Sequence, residues 1–152
     1  ISSIGNWMFY DCKSLKSIVF PENLISTGHS VCLKCRSLTN VTLPKGLITI
    51  EHSVFNACDN LKDITIPDSV ISIGSGAFSD CAKLASVTIS DNVTEIGQNA
   101  FSYSALYEDE SNWQDGVLYI GNYLITINFI KFNKFFIYYF INTRILKSYC
   151  VN

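Results

Sequence analysis

Residues 66–84 read IPDSVISIGSGAFSDCAKL. The stretch closes a strand-like alternation (Ile64-Thr65-Ile66), turns at Pro67-Asp68-Ser69, steps through Gly74 and carries a lone Cys81. No single helix or strand accommodates all of these in so short a segment. The resolution lies 23 residues away in each direction. Forward, Val70, Ile73, Gly74 and Ala77-Phe78 become Val93, Ile96, Gly97 and Ala100-Phe101. Backward, Val70, Ile73, Phe78, Cys81 and Leu84 become Leu47, Ile50, Phe55, Cys58 and Leu61. Further steps reach Leu24 and Ile1, Cys35 and Cys12, Leu38 and Leu15, with no insertion or deletion between Ile1 and Phe101. A fixed period of this length marks a solenoid, in which each unit buries its apolar face only against its neighbours.

The repeat reads V-x-x-I-G-x-x-A-F-x-x-C-x-x-L-x-x-I-x-I-P-x-x. Its L-x-x-I-x-I core predicts one short strand per unit, at Leu15–Phe20, Leu38–Leu43, Leu61–Ile66 and Leu84–Ile89. Equivalent strands should pair with their neighbours and form one parallel sheet along one side. Pro21, Pro44 and Pro67 end these strands, because proline cannot donate to a ladder; Ser90 holds that place in the fourth unit. The V-x-x-I-G segment predicts a second extended piece. A-F-x-x-C predicts one tight helical or 3₁₀ turn with its aromatic ring inside. In the second unit Thr27 replaces the Ile and Cys32 replaces the Phe. A small residue at a core Phe position leaves a gap, worth on the order of 3–5 kcal/mol if unfilled. That rung is expected to be the weakest of the stack.

The period stops after Phe101, where Ser104 and Tyr107 stand in place of Cys and Leu. An acidic stretch, 108–115, precedes GVLYIGNYLI (116–125), which reads as a hairpin of Val117–Ile120 and Tyr123–Thr126 around a Gly121-Asn122 turn. The expected division is therefore a solenoid of about four and a half units (1–107), an acidic loop with a hairpin cap or insert (108–127), and a tail (128–152). Phe, Ile, Asn, Lys and Tyr make up 19 of the 25 tail residues. These five share A/T-rich codons, so the tail reads as an A/T-rich stretch in a wrong or non-coding frame. A basic-aromatic membrane-surface segment is the alternative, but the apolar run Phe135–Ile141 shows no clean helical face, and membrane contact is disfavoured. The chain opens in mid-repeat without a methionine and reads as a fragment or a processed form.

Residues 1–127 carry 7 Lys/Arg against 13 Asp/Glu, a balance of −6, while the tail carries 4 Lys/Arg and no acid. An acidic body is a poor match for nucleic acid, whose binding requires neutralised phosphates. Cys12, Cys35, Cys58 and Cys81 share one phase and are expected as a column of free buried thiols rather than disulfides. Cys32 and Cys35 have C-x₂-C spacing with His29 and His52 nearby. Both cysteines fall on core phases, however, while the histidines share a phase with the polar Asn6, Ser75 and Gln98. A zinc site is rejected on that ground. Glu108, Asp109, Glu110 and Asp115 match no calcium-loop spacing and read as a solvated loop. No nucleophile–base arrangement, phosphate-cradling loop or acid–base pair is recognisable, so neither an enzyme, a cofactor nor a small-molecule substrate is expected.

The combination of Ile-Gly, Ala-Phe, Cys, Leu and Ile-x-Ile-Pro at a fixed spacing resembles the BspA-like, or TpLRR, class of leucine-rich repeats. The resemblance covers Ile1–Phe101 in register, and NWQDGVLYIGNYLI (112–125) resembles inserts of this family. It implies a right-handed leucine-rich-repeat solenoid with its parallel sheet on the concave side. It further implies a cell-surface or secreted adhesin-like protein, usually far longer, from anaerobic bacteria or some parasitic protists. The implied partners are host or neighbour-cell macromolecules, protein or glycan. No catalytic residues belong to the motif. The chain departs from the pattern at Thr27, Cys32 and Ser90 and throughout the tail.

Two surfaces are candidates for contact. Between the buried strand positions, Val19, Thr42, Thr65 and Thr88 form a central concave column. Ser17, Asn40, Asp63 and Ser86 run beside it, followed by Lys16, Thr39, Lys62 and Ala85. This surface offers hydroxyls and amides to a protein or glycan; equally, it is the solvated β face that strand propensity alone would select. The second surface is Ile25, Ile48 and Ile71, which form an apolar stripe if they point outward and become core if local twist turns them in. The expected function is non-catalytic binding of a macromolecule. A structural spacer, or an incomplete fragment without a function of its own, are the alternatives.

Overall fold

A computed structural model describes residues 4–114, 116–120 and 123–127. Asp115, the Gly121-Asn122 turn and the tail of 128–152 lie outside the described residues. The repeats stack in register and contribute short strands to two sides, units one to four to the first and units three to five to the second. On the first side are β1 (Ser17–Val19), β2 (Asn40–Thr42), β4 (Asp63–Thr65) and β6 (Ser86–Thr88); on the second are β3 (Thr49–Ile50), β5 (Ser72–Ile73) and β7 (Glu95–Ile96). All of these pairings are parallel and advance by one period, as in Ser17↔Asn40 and Ser72↔Glu95. The core between the two sides holds Leu24, Leu38, Leu47, Ile50, Leu61, Ile73 and Leu84, each essentially inaccessible. Phe55, Phe78 and Phe101 stack along its axis at 5.4 and 5.2 Å between ring centroids.

The A-F-x-x-C segment is not a helical turn. Two residues per unit take the left-handed conformation: Trp7, Ser30, Ser53, Gly76 and Asn99 at one phase, Asp11, Lys34, Ala57, Asp80 and Tyr103 at the other. Between them the chain alternates two kinds of hydrogen bond. The Cys58 N–H donates within its own unit to the Phe55 carbonyl, whereas the Phe55 N–H donates to the Ala77 carbonyl of the next unit. The left-handed residues turn alternate amides along the stack, so this third side is stitched like the two strand sides. A continuous helical turn would have spent those amides internally.

The expected gap at Cys32 is filled. Phe20, buried at the end of β1, sets its ring edge-on to Phe55 at 6.0 Å. It comes from the phase that Leu43 and Ile66 hold in later units, so the aromatic volume missing from the second rung arrives from the first. Thr27 is also accommodated: it is buried, and its Oγ1 accepts the Glu51 N–H at 2.8 Å.

The expected single sheet is interrupted. β1 pairs with β2 and β4 with β6, but β2 and β4 are not hydrogen-bonded to each other. Two sequence features meet at this junction. Gly28, Gly74 and Gly97 lie against the preceding unit so closely that a Cβ would fall 2.6 Å from the Ile4 carbonyl oxygen at Gly28 and 2.6 Å from the His52 nitrogen at Gly74. Only Glu51, among the units that follow another, puts a side chain at this phase. Its N–H reaches the Thr27 hydroxyl, where those of Gly74 and Gly97 reach the backbone carbonyls of Ile50 and Ile73. Across the gap itself Asn40 faces Asp63, a side-by-side pair of poor strand formers.

The local pattern changes at Ser104. Standing at the cysteine phase and fully buried, it donates to the Phe101 carbonyl at 2.6 Å and accepts the Tyr107 N–H. It thereby caps the short helix α1 (Ala105–Glu108). A 3₁₀ turn at Glu110–Asn112 leads into β8 (Trp113–Gln114), β9 (Val117–Ile120) and β10 (Tyr123–Ile127), an antiparallel sheet in the order β10-β9-β8. β9 and β10 pair antiparallel with Tyr123 opposite Ile120, and β8 adds a third strand on the far side of β9.

Candidate functional site

The strand face of β1, β2, β4 and β6 presents all three anticipated columns to solvent. Val19, Thr42, Thr65 and Thr88, then Ser17, Asn40, Asp63 and Ser86, then Lys16, Thr39, Lys62 and Ala85 are exposed, while Ile18, Val41, Ile64 and Val87 turn inward. Within the strands alternation produces this division, because successive side chains point to opposite faces; Lys16, Thr39, Lys62 and Ala85 stand one residue before the strands and are exposed by the bend that leads into them. Apart from Val19, which is 72% exposed, and Ala85, the face is polar and free of aromatic side chains.

A cleft of about 250 Å³ opens in the middle of this face, lined by Thr39, Asn40, Val41 and Thr42 on one side and Asp63, Ile64 and Thr65 on the other. It coincides with the break between β2 and β4. Sequence reading missed it, although Glu51 at a glycine place was a visible signal. A second, apolar hollow of about 240 Å³ lies at the N-terminal end of the stack, between Met8, Phe9, Ile18 and Phe20.

The isoleucine stripe points outward. Ile25, Ile48 and Ile71 are 58%, 40% and 46% exposed, and Ile48 and Ile71 donate in turn to the carbonyls of Ile25 and Ile48. Thr94 continues the ladder and ends the apolar run.

The other clusters resolve into structural roles. Cys35, Cys58 and Cys81 are buried free thiols, and Cys12 is half-buried. Cys35, Cys58 and Cys81 donate Sγ–H bonds of 3.0–3.3 Å to the Phe9, Cys32 and Phe55 carbonyls of the preceding unit. Burial pushes the Cys81 thiol up to about 12 and raises Cys58 as well. Cys32 is buried, while His29 and His52 stay on the outside. His29 lies 3.7 Å from the Glu51 carboxylate and His52 lies 3.1 Å from the Ser53 hydroxyl. Among the described residues no His, Cys, Asp and Glu side chains are grouped to hold a metal ion. Asp109 caps the 3₁₀ turn by accepting the Ser111 N–H at 2.9 Å, and that hydrogen bonding lowers its pKa. No helix among the described residues is long and apolar enough to cross a membrane.

Comparison with known proteins agrees with this geometry. The profile of the BspA type leucine-rich repeat region matches residues 1–108 in 6 copies. The chain belongs to the BspA-type leucine-rich repeat family. A leucine-rich repeat protein of T. pallidum is similar in structure, with a TM-score of 0.65 and 33% identity over 67% of this chain and 48% of that one. A leucine-rich cell surface protein of Faecalibacterium prausnitzii is similar with a TM-score of 0.63 and 33% identity over 69% of this chain and 29% of that one. A leucine-rich repeat protein of Bacteroides capillosus follows at 0.53 and 32%, over 59% and 64%. No curated protein sequence matches significantly. The chain thus spans about half of the T. pallidum protein and under a third of the F. prausnitzii one.

Proposed function

We propose that the repeats form a non-catalytic binding module of a cell-surface or secreted protein, and that the strand face contacts a protein or glycan of a host or neighbouring cell. The carrying observation is the row of exposed polar columns held by a buried stack that fixes their spacing. The likeness to a leucine-rich cell surface protein of F. prausnitzii supports the location. In this reading residues 1–107 are the recognition unit, and the segment 108–127 covers the last rung. The exposed Ile25–Ile48–Ile71 stripe favours a second reading, in which that edge packs on a protein partner.

Binding of the chain to immobilised extracellular-matrix proteins and mucin glycans tests the choice. Thr65→Arg, which crowds the strand face, should weaken binding at least about tenfold, while Ile48→Glu should leave it unchanged. The opposite pattern assigns recognition to the stripe. Binding by a longer protein but not by these repeats makes them a spacer.

A further inference from the structure

We propose that the cleft between β2 and β4 receives an extended peptide strand of a partner protein, which pairs with both edges and completes the sheet. For its location the inference rests on the strand-face reading; it goes further in naming the partner's chemistry. The register of the flanking pairs shows what the break leaves open. The Phe20 N–H donates to the Thr42 carbonyl and the Ile66 N–H to the Thr88 carbonyl, but the equivalent donation from Leu43 to Thr65 is absent. The Thr39 and Asn40 N–H groups meet the Lys16 carbonyl, and those of Ala85 and Ser86 meet the Lys62 carbonyl; no such bond joins Asp63 to Thr39. The same register points the N–H groups of Val41, Leu43, Asp63 and Thr65, with four carbonyls, into the cleft from its two sides.

Elsewhere units two and three remain joined. The Cys32 N–H donates to the Val54 carbonyl and the Lys34 N–H to the Asn56 carbonyl on the turn side, and the Ile48 N–H donates to the Ile25 carbonyl on the other. The break is therefore a wedge open only on the strand face. Two facing strand edges present complementary rows of backbone donors and acceptors, and one inserted strand has two edges with which to satisfy both. It would continue the existing β1–β2 and β4–β6 ladders.

The walls define the guest. Inward, Val41 and Ile64 flank the space for one aliphatic side chain; outward, Asn40, Asp63, Thr42 and Thr65 flank the residues on either side of it. Strand alternation then selects a polar–aliphatic–polar sequence, with a cationic residue favoured next to Asp63. A glycan supplies hydroxyls but not two rows of amides at strand spacing.

Backbone amide exchange of the full chain, free and with the blocked peptide acetyl-Lys-Val-Thr-Ile-Thr-amide, tests the proposal. In the free protein the amides of Val41, Leu43, Asp63 and Thr65 should exchange at least about tenfold faster than those of Phe20 and Ile66. The peptide should slow the first group at least about tenfold, and its form N-methylated at every residue should not. The proposal is overturned if the four amides are already as slow as Phe20 and Ile66, or if the peptide leaves them fast. Loss of partner binding in Thr65→Arg together with either result would keep the strand-face reading and remove this one.

Discussion

Phe78 lies between two parallel rings, Phe55 on one side and Phe101 on the other, with no access to solvent. Phe78→Ala should therefore cost about 3–5 kcal/mol in denaturant melts, whereas the exposed Thr65→Ala should cost well under about 1 kcal/mol. Equal costs would reverse the inside–outside assignment. Cys32 reverses the lesson that the repeat alone teaches. Restoring the repeat's phenylalanine there would look stabilising, but Phe20 has filled the space beside Phe55. Cys32→Phe should overpack the rung and lower stability by about 1–3 kcal/mol; a gain would show that the gap was real. The buried thiols add a pH dependence. An unfolded thiol ionises near about 8.5, while burial lifts Cys81 to about 12. Between those values the unfolded chain has released a proton that the folded chain keeps. The stability that the neutral thiols contribute is whole below the lower value and drains as pH rises, by up to about 1.4 kcal/mol per pH unit per thiol. Melts from about pH 8 to pH 10 should show a shallower decline in Cys81→Ala than in the parent chain.

The turn between the two left-handed residues is the element that repeat reading misjudged. Spacing alone shows an apolar Phe and a Cys three residues apart, which a helical turn would bring together equally well. The left-handed phases are held by Trp, Ser, Asp, Lys, Ala, Asn and Tyr, with Gly76 the single glycine, so composition carries no warning. The conformation is imposed by hydrogen bonding to the next unit rather than by local preference. Ala57, at φ 56°, is held where an L side chain is strained by about 1–2 kcal/mol. Ala57→Gly relieves that strain against glycine's entropic cost of about 0.5–1 kcal/mol. A rise in the urea midpoint at constant slope is the expected result.

Across the whole molecule, stability should divide at the junction of the second and third units. Units three to five share the stacked phenylalanines and the close contacts at Gly74 and Gly97. Units one and two meet that block where Glu51 replaces a glycine and β2 is unpaired from β4. In a solenoid, stability is approximately a sum of unit and nearest-neighbour terms, so the weakest interface opens first. Native-state exchange should show the Phe9 and Phe20 amides opening at lower free energy than those of Phe78 and Gly97. Glu51→Gly, which permits the closer approach, should narrow that difference. Uniform protection along the stack would contradict the division.

The period, the two strand phases, the inward Leu, Ile and Phe residues and the exposed polar columns were all legible in the sequence. Each follows from a residue's own alternation and from the demand that identical units bury identical faces. The outward direction of the Ile25–Ile48–Ile71 stripe was open to either outcome, because it depends on twist between units. Three further features belong to tertiary structure: Phe20 filling the place of another unit's ring, left-handed turns made from ordinary residues, and the parting of β2 from β4. All three arise where one unit meets the next. There, the space left by a neighbour and the carbonyls it presents decide between conformations that local sequence leaves equal.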